Sequence, residues 1–459
     1  MSESANQHLQ RVFVANRGEI AVRIIRACIK LDIETVAAVS EADRHSMAAR
    51  LATRAVCVGP ASASRSYLDA SALVHAAIAT GCRAVHPGYG FLSERASFAR
   101  MCEDAGLVFI GPTPEAISAM GDKLTALRIA DEAGVARVPG SGRITDLTQA
   151  LAEAGRIGYP FLFKASAGGG GRGMRLVRTA AELEMAMSSA AAEALAAFGD
   201  DTLYMEKYIE SARHIEIQLI ADQHGNVVHL GERDCSTQRR HQKLIEEAPC
   251  AFISTQTRGH LAQAAIRLAR CVNYRGAGTV EFVYDEVSKE AYFLEMNTRI
   301  QVEHPVTEMV TGIDLVAEQI RIAAGLPLSV TQDEIIFSGH AIECRINAED
   351  PKRNFMPGPG RITAWNAPQG EGVRVDTHCE ADYLVPPYYD SLLAKLIVHG
   401  RDRAEAIQRM RESLRSFCIE GIPTTAHFHQ DVLSKGDFEA GRVNTRWVEE
   451  RFLAGAGAS

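Results

Sequence analysis

The first third of the chain alternates short apolar runs with stretches of helical spacing. The apolar runs are short and bounded by turns, which predicts buried strands. They lie at 11–15, 35–40, 55–58, 84–85 and 107–110. The stretches between them, 20–31 for example, place apolar residues on one face of a helix. Strands that alternate with helices predict a parallel sheet with helices on both faces, a doubly wound β-α-β domain.

Two further units follow this domain. Strand patterns at 161–166 and 174–177 flank a glycine-rich loop, which predicts a mobile hairpin rather than the strand-to-helix turn of a dinucleotide site. Farther on, 340–347 and 393–398 begin as strands, and 403–417 has helical spacing. The expected domains are 11–121, 122–337 with a lid at about 138–208, and 338–450.

The most informative pattern lies near the middle of the chain, in two arms at 279–284 and 292–304. Both arms alternate polar and apolar residues, which predicts strands with two unlike faces. The flanks are strongly apolar, so we expect the arms to be covered and their charges to need partners. The polar positions of the second arm are Glu295, Asn297, Arg299, Gln301 and Glu303.

A hairpin centred near Ser288 would set Glu281 opposite Glu295, with Cβ atoms about 5 Å apart and like charges in repulsion. A divalent cation would relieve this repulsion. Asn297 would add an amide oxygen, giving the hard ligands that Mg²⁺ or Mn²⁺ takes beside phosphate oxygens. The basic and amide side chains that follow could hold a small anion, and Glu303 could act as a base. A solvated hairpin is the alternative interpretation.

Bulk properties narrow the class of protein. The 459 residues are 46% hydrophobic and 23% charged, which is typical of a soluble globular chain of roughly three domains. The net charge of -8 argues against a general nucleic-acid or membrane binder. The ten cysteines include no Cys-x-x-Cys pair, and the first ten residues lack a signal-peptide pattern. We therefore expect a cytoplasmic enzyme with reduced thiols.

Three other segments carry candidate chemistry. The loop at 86–94 follows a strand end, where α/β sheets bind ligands, but a tight turn explains it equally well. Lys164 enters the glycine loop, where a fixed cation could pair with a phosphate; a solvated lysine is the alternative. The basic segment at 233–243 could cradle a polyphosphate and a second small anion, or form a solvated basic face or a nuclear-localisation-like run. Within it, Cys235 is expected to be a packed thiol.

These segments together resemble the ATP-grasp superfamily, and more closely the biotin carboxylases, over nearly the whole chain. The resembling stretches are 14–21, 86–94, 120–123, 164–174, 205–208, 232–243, 295–308 and 343–350. Ala167 stands where the family usually has glycine, and the first ten residues match nothing. The resemblance implies an ATP-grasp fold of the α/β and α+β classes. It would combine the N-terminal domain with a glycine-loop lid and a C-terminal mixed-sheet domain.

The resemblance also implies a role for each matching residue. Those at the ATP phosphates would be Lys123, Lys164, Gly170, Gly171 and His241. Those that contact or place the rest of the nucleotide would be Glu206, Lys207, the backbone of Ile209, His214 and Gln238. The metal ligands would be Glu281, Glu295 and Asn297. The bicarbonate ligands would be Lys243, Arg299, Gln301 and the Val302 backbone, with Glu303 as general base. The biotin pocket would contain Arg345, at the ureido oxygen, with Tyr89 and Asp390.

The implied activity is the carboxylation of biotin by ATP and bicarbonate, through carboxyphosphate, with two Mg²⁺ or Mn²⁺ ions. No Met-Lys-Met turn occurs, and the chain ends soon after its third section. We therefore expect biotin to sit on a separate biotin carboxyl carrier protein, and this chain to act as a homodimeric subunit beside a carboxyltransferase. The assembly would be an acyl-CoA or pyruvate carboxylase. Acetyl-CoA carboxylase, which acts in fatty acid biosynthesis, is the first assembly to test.

Two rival functions stay open. A carbamoyl-phosphate-forming ligase of the same superfamily would also activate bicarbonate, but the Arg299-x-Gln301-x-Glu303 pattern and the 344–347 segment favour biotin. A regulatory subunit that binds ATP without turnover would have a damaged metal or base position, and every such position is filled. The sequence does not indicate the final acceptor of the carboxyl group.

Overall fold

A five-stranded parallel sheet forms the N-terminal part of the computed structural model, which describes residues 9–166 and 174–454. Its strands are β1 (Arg11–Val14), β2 (Glu34–Ser40), β3 (Arg54–Gly59), β4 (Ala84–His86) and β5 (Val108–Phe109), in the order β3-β2-β1-β4-β5. The surrounding helices are α1 (Gly18–Lys30), α2 (Met47–Leu51), α3 (Ala70–Ala79), α4 (Ala96–Asp104) and α5 (Pro114–Gly121). The parallel pairing confirms the predicted arrangement.

Alternate residues of β1 face opposite cores. Val12 and Val14 pack with α1, whereas Phe13 packs with α3 and α4. The sheet is therefore covered on both faces, which explains why β1 is apolar from Val12 to Val14. The strand order reverses between β1 and β4, and open α/β sheets bind ligands at such a switch point. Asn16, just after β1, donates to the carbonyls of Pro87 at 2.6 Å and Tyr89 at 2.8 Å, so the two turns meet there.

Helix α6 (Lys123–Glu132) begins at a side-chain cap. The Asp122 carboxylate accepts from the Thr125 backbone N–H at 2.8 Å, which satisfies one of the unpaired donors of the first turn. The cap fixes the place of Lys123 in that first turn.

A small antiparallel sheet follows. Its strands are β6 (Phe161–Ala165), β7 (Arg175–Val177) and β8 (Leu203–Lys207), in the order β7-β6-β8. Helices α7 (Leu147–Ile157) and α8 (Leu183–Phe198) share a core with it. The antiparallel pairing of β6 with β7 confirms the predicted hairpin. The glycine loop between them, with Gly170 and Gly171, lies outside the described residues.

An eight-stranded sheet and three short two-stranded sheets make up the named strands of the rest of the described chain. The remaining strands are β9 (Ala212–Ala221), β10 (Val227–Arg239), β11 (Gln242–Ala248), β12 (Gly276–Asp285), β13 (Ala291–Asn297), β14 (His340–Asn347), β15 (Glu349–Asp350), β16 (Met356–Pro357), β17 (Gly360–Arg361), β18 (Ala364–Asn366), β19 (Val373–Thr377), β20 (Leu384–Val385), β21 (Leu392–Gly400) and β22 (Cys418–Glu420). The order in the large sheet is β13-β12-β9-β10-β11-β14-β21-β19. The remaining helices are α9 (Thr255–Cys271), α10 (His304–Thr311), α11 (Leu315–Ala323), α12 (Arg403–Ser416), α13 (Ala426–Leu433) and α14 (Gly436–Glu439).

All pairs of named strands in this large sheet are antiparallel, so the prediction of a mixed sheet is wrong on this point. The physical reason is the length of the connections. Short turns join β9 to β10, β10 to β11 and β12 to β13, and only antiparallel neighbours can be joined so closely. Among the described residues, no helix is both long and apolar enough to span a bilayer.

The β12–β13 hairpin has the predicted register, with Glu281 opposite Glu295. The prediction that the strand continues through Glu303 is wrong. Strand β13 ends at Asn297 and α10 begins at His304, so the residues between form a loop, called here the 298–303 loop. Pro305 lies in the first turn of α10, where its missing N–H costs no hydrogen bond, and it favours a helix start over a longer strand.

Candidate active site

Lys243 on β11 is the ammonium group around which buried carboxylates gather. Its Nζ lies 2.6 Å from Glu216, 2.9 Å from Glu281 and 2.6 Å from Glu303. Burial alone would lower the pKa of Lys243, but the three carboxylates outweigh burial and raise that pKa well above its usual value. Lys243 is therefore a fixed cation at the centre of the site.

The Glu281 carboxylate collects several further donors. Asn297 donates to it at 2.9 Å and Gln301 at 2.8 Å. The Nε2 atom of His214, on β9, lies 3.0 Å from the same carboxylate. Burial lowers the pKa of His214, but the charge of Glu281 prevails and raises it to about 9. Glu281 is thus held ionised, with its pKa well below the usual value because Lys243 and His214 overcome the effect of burial.

Glu295 has a less favourable environment. Burial, and next the negative charge of Glu281, raise its pKa, and the charges of Lys123 and His214 act in the opposite direction without outweighing them. The buried Glu281 carboxylate, the partly buried Glu295 carboxylate and the Asn297 amide oxygen on one hairpin are the donor set of a hard divalent cation. A cation bound there would remove the repulsion that burdens Glu295, so these residues fit a metal site.

A second group of possible ligands lies close by. Among the described residues, ligand atoms of His214, Glu216 and Glu281 lie within 4.8 Å of one another. The raised pKa of His214 favours the protonated ring, which offers no lone pair to a metal. We therefore assign the candidate metal site to the Glu281–Glu295 side of the hairpin.

The 298–303 loop brings its polar side chains back to the hairpin. Arg299 donates to the Asn297 amide oxygen at 2.9 Å and lies 3.0 Å from Glu94, in the loop after β4. Gln301 reaches Glu281, as described above, and Glu303 reaches Lys243. The predicted anion-binding residues are therefore brought together, although they lie on a loop and not on a strand. The loop at 86–94 also contributes a charge to the site, in addition to forming a turn.

Arg345 on β14 forms the far wall of the site. Its guanidinium donates to Glu246 at 2.6 Å and to Glu303 at 2.9 Å. Burial raises the pKa of Glu303, but Lys243 and Arg345 outweigh it and lower the pKa to about 2, so Glu303 is ionised. Burial is the stronger influence at Glu246 and raises its pKa to about 7, despite Arg345.

Arg233 does not belong to an anion cradle, so this part of the prediction for 233–243 is wrong. The residue is completely buried, and all of its donors bond to protein groups. Its acceptors are Glu216, Gln218, Thr307, Thr279 and Gln301. Arg239 likewise bonds to Asn354 and stacks on Phe355. The prediction for Cys235 is confirmed, because the thiol is buried and burial raises its pKa well above the usual value.

Apart from Lys123 on α6, His214 on β9 and the two loop glycines, the residues predicted for the nucleotide lie on or just past the small sheet, or on the β10–β11 hairpin. Lys164 on β6 forms an ion pair with Glu206 on β8. Lys207 donates to the Tyr159 carbonyl at 2.7 Å, and Ile209 lies partly buried just past β8. The other two are Gln238, opposite Lys243 in the register of β10 and β11, and His241, in the turn between those strands with its pKa lowered by burial.

The three residues predicted for biotin lie near one another. Tyr89 donates a hydrogen bond to Glu19 on α1. Burial and the charge of Glu19 raise the pKa of Tyr89, and the charges of Arg345 and Asp390 also reach its ring. Asp390 is exposed and accepts from the Leu392 backbone N–H at 2.9 Å. The switch point of the N-terminal sheet therefore faces the Arg345 side of the large sheet.

Sequence reasoning missed Glu94, Glu216 and Glu246. Glu216 could have been found, because β9 alternates polar and apolar residues from His214 to Gln218 in the same way as β13. Glu216 then lies opposite Glu281 in the register of β9 and β12. Glu94 ends the 86–94 loop, which was singled out as a whole without this residue being named. No pattern marks Glu246, whose importance depends on Arg345, far away in the sequence.

Comparison with known families explains the arrangement of the site. The model described as "Biotin carboxylase, N-terminal domain" matches residues 8–117, and the one described as "Biotin carboxylase C-terminal domain" matches residues 343–450. Between them, residues 122–331 match "Carbamoyl-phosphate synthase L chain, ATP binding domain". A protein of Nostoc sp. described as biotin carboxylase is 54% identical over 441 residues, which are 96% of this chain and 98% of that one. The chain belongs to the biotin carboxylase family.

Two further members of the family support this assignment. Biotin carboxylase 1 of Bacillus subtilis is 51% identical, over 98% of this chain and 100% of that protein. Among solved structures, the biotin carboxylase domain dimer of the 2-oxoglutarate carboxylase of Hydrogenobacter thermophilus superposes with a TM-score of 0.92. It is 48% identical over 97% of this chain and 98% of that one, and it contains MgADP, ADP and bicarbonate. The ATP-grasp fold is thus confirmed, and this biotin carboxylase is a ligase.

Proposed function

We propose that the protein catalyses the ATP-dependent carboxylation of biotin by bicarbonate, with carboxyphosphate as intermediate. One observation carries the proposal: the Glu281–Glu295 hairpin and the loop after it set a candidate metal site and an anion site side by side around Lys243. Bicarbonate is a poor electrophile, so it must be activated, and a phosphoryl group from ATP can do this where metal and anion are adjacent.

Bicarbonate would bind between Arg299, Lys243, Gln301 and the Val302 backbone. Glu303 is already ionised, which is the state that a general base requires. Its low pKa makes it a weak base by itself. The neighbouring cations would, however, also lower the pKa of a bicarbonate hydroxyl bound between them, so transfer of the proton to Glu303 becomes feasible.

The deprotonated bicarbonate oxygen would attack the γ-phosphorus of ATP, and the bond from that phosphorus to ADP would break. Lys123, Lys164 and His241 would hold the phosphates, together with Gly170 and Gly171 of the glycine loop. Glu206, Lys207, Ile209, His214 and Gln238 would place the nucleotide. Two Mg²⁺ or Mn²⁺ ions, held by Glu281, Glu295 and Asn297, would neutralise charge on the transferring group.

Carboxyphosphate would then break into CO₂ and phosphate within the covered site. The phosphate would take the proton from the biotin nitrogen, and that nitrogen would attack CO₂ to give carboxybiotin. Arg345 would stabilise the negative charge that develops on the ureido oxygen, because it is the cation on the wall shared with Tyr89 and Asp390. Its bonds to Glu303 and Glu246 fix its orientation in advance.

The proposed assembly contains this chain as a homodimer, a biotin carboxyl carrier protein and a carboxyltransferase subunit. The Hydrogenobacter domain is described as a dimer, which supports the dimer proposal. That domain serves a 2-oxoglutarate carboxylase, so family membership leaves the acceptor open among acyl-CoA and pyruvate-type acids. Acetyl-CoA carboxylase is the first assembly to test, and the cytoplasm is the proposed location.

The direct test measures ADP release from ATP and Mg²⁺, with and without bicarbonate and free biotin. We expect release to require bicarbonate and to rise when biotin is added. A rate that is indifferent to both additions would overturn the proposal.

Residues 122–331 match a model named for carbamoyl-phosphate synthase, so a carbamoyl-phosphate-forming ligase is the alternative function to test. The same assay with ammonia in place of biotin separates the two functions. We expect no carbamoyl phosphate, because the flanking regions that bring Tyr89 and Arg345 to the site match biotin carboxylase models instead.

A further inference from the structure

The 298–303 loop carries most of the proposed bicarbonate ligands, yet it belongs to neither a strand nor a helix. Two side chains hold its backbone carbonyls from outside. The His304 ring nitrogen Nδ1 lies 2.7 Å from the Gln301 carbonyl oxygen, and Lys395 Nζ donates to the Val302 carbonyl at 2.9 Å. Lys395 is the longer-range contact of the two, because it comes from β21, ninety-three positions farther along the chain.

Burial of the Lys395 ammonium group is unfavourable in free energy. Lys395 is completely buried, and removing an ammonium group from water costs several kcal/mol unless it gains partners. Its partners are the Val302 carbonyl, Glu19 at 3.2 Å and the more distant Asp376 at 4.0 Å, and its charge also acts on the buried Glu343. Asp376 already has two bonds from Arg374, at 2.8 and 2.6 Å. The need to neutralise Asp376 therefore does not explain why a lysine is buried at position 395.

We infer that Lys395 is a positioning residue for the bicarbonate site, an inference that rests on the proposed function. Its ammonium group fixes the Val302 carbonyl, which belongs to the peptide that joins Val302 to Glu303. Fixing this peptide sets the direction of the Glu303 N–H and the position of the Glu303 Cα, from which the proposed general base extends. The preceding peptide, which carries the Val302 N–H, is held by the contact between His304 and the Gln301 carbonyl. Small displacements of such groups are costly in catalysis, since about 1 Å can reduce a rate about 100-fold.

The same lysine connects the bicarbonate site to the biotin side. Glu19, its nearest carboxylate, accepts the hydrogen bond from Tyr89. A role confined to charge balance would need only Lys395 and the carboxylates around it, which are Glu19, Asp376 and Glu343. The bond to the Val302 carbonyl is the contact that a positioning role requires and a balancing role does not.

The test compares three variants in bicarbonate-dependent ATP cleavage without biotin, so that Tyr89 does not enter the measurement. Lys395→Met keeps most of the length of the side chain but leaves the Val302 carbonyl without its donor and Glu19 without its cation. Lys395→Met combined with Glu19→Gln removes both charges together. Glu19→Gln alone is the matched control, because it leaves the Lys395–Val302 contact in place and its amide oxygen can still accept from Tyr89.

We expect Lys395→Met to raise the KM for bicarbonate about tenfold or more, with the KM for ATP nearly unchanged. Lys395→Met with Glu19→Gln should regain part of the melting temperature that Lys395→Met loses but keep the raised KM for bicarbonate. Glu19→Gln alone should keep a bicarbonate KM close to the wild-type value. Recovery of both the melting temperature and the bicarbonate KM in the double variant would overturn the inference.

The wild-type protein separates this inference from the proposed function. If wild-type ATP cleavage ignores bicarbonate, the proposed function fails. If wild-type cleavage requires bicarbonate and the folded double variant has the wild-type KM, only the role of Lys395 fails.

Discussion

Of the two carboxylates proposed as metal ligands, Glu295 is the one whose charge the described protein groups compensate less, since its pKa is raised whereas that of Glu281 is lowered, and its replacement is the sharpest test of the metal site. Glu295→Gln removes one proposed anionic ligand and should lower turnover about 100-fold or more, because a misplaced metal clamp costs several kcal/mol in the transition state. The fold should survive, since the change removes repulsion with Glu281. Turnover at several Mg²⁺ concentrations and the melting temperature check both expectations.

The matched control is Glu290→Gln, an exposed position in the turn of the same hairpin. It makes the same chemical change and should leave turnover and Mg²⁺ dependence unaltered. Normal turnover and normal Mg²⁺ dependence in Glu295→Gln would mean that the metal is held elsewhere.

Arg345 should separate the two half-reactions. Arg345→Ala should lower carboxybiotin formation about 100-fold or more, because the ureido oxygen loses its cation. Bicarbonate-dependent ATP cleavage should continue more slowly, by about tenfold, because Glu303 loses one partner but keeps Lys243. Exposed Arg415→Ala is the control. Loss of ATP cleavage with an unchanged yield of carboxybiotin per ATP would assign this role to another residue.

Residue patterns in the sequence revealed part of this site and not all of it. Period-two alternation marked Glu281 and Glu295, and the same signal was present at Glu216. Whether the Arg233 side chain binds a ligand or pairs with a protein group could not be predicted. A basic residue in a polar strand can contact a bound anion or a buried carboxylate. Only the register of β9 and β10 shows that the partner of Arg233 is Glu216.

Strands and helices were easier to predict than the residues at which they begin and end. Symmetry about Ser288 gave the register of the β12–β13 hairpin, because a hairpin pairs residues at equal distances from its turn. The end of β13 was mispredicted, since polar residues continue to alternate through a loop whose side chains face the site. A loop whose polar residues alternate can therefore be mistaken for a strand. Here Pro305 was a sequence feature that argued against a longer strand.

Glu247 links several elements, and its charge should make the stability of the protein depend on pH. It accepts from His340 on β14 at 2.9 Å and from Arg403 on α12 at 2.7 Å. Arg403 also donates to the carbonyls of Phe438 and Glu439, at α14. Burial raises the pKa of Glu247, but the bonds from His340 and Arg403 outweigh burial and lower it to about 2.

The folded pKa of Glu247 lies below its value in the unfolded chain, so its contribution to stability is complete above about pH 4.5 and is lost as the pH falls toward 2. Glu247→Gln should therefore lower stability at neutral pH by up to about 3 kcal/mol. The difference from wild type in urea midpoint should shrink between about pH 7 and about pH 3.5. Exposed Glu412→Gln is the control, and a difference independent of pH would contradict this account.

At the scale of the whole molecule, the site exists only because distant parts of the chain meet. The N-terminal switch point supplies Tyr89 and Glu94, the hairpin supplies the carboxylates, and β14 supplies Arg345. The β-α-β repeat predicted the first part from local periodicity. The antiparallel large sheet joins strands from 212 to 400, and its order depends on pairings that no local pattern encodes.

The last prediction concerns how biotin reaches this site. In biotin-dependent carboxylases the lysine that carries biotin usually lies in an Ala-Met-Lys-Met turn, and these 459 residues contain no Met-Lys-Met; the nearest resemblance, 184–187, has no lysine and lies within α8. The purified chain should therefore show no biotin by streptavidin blotting or intact mass. A separate carrier protein should be a far better substrate than free biotin, because tethering raises the local concentration to about mM. The comparison is kcat/KM for biotinylated carrier against free biotin, with the unbiotinylated carrier as control. A covalently biotinylated chain, or equal kcat/KM for both forms of biotin, would show that the chain does not work with a separate carrier.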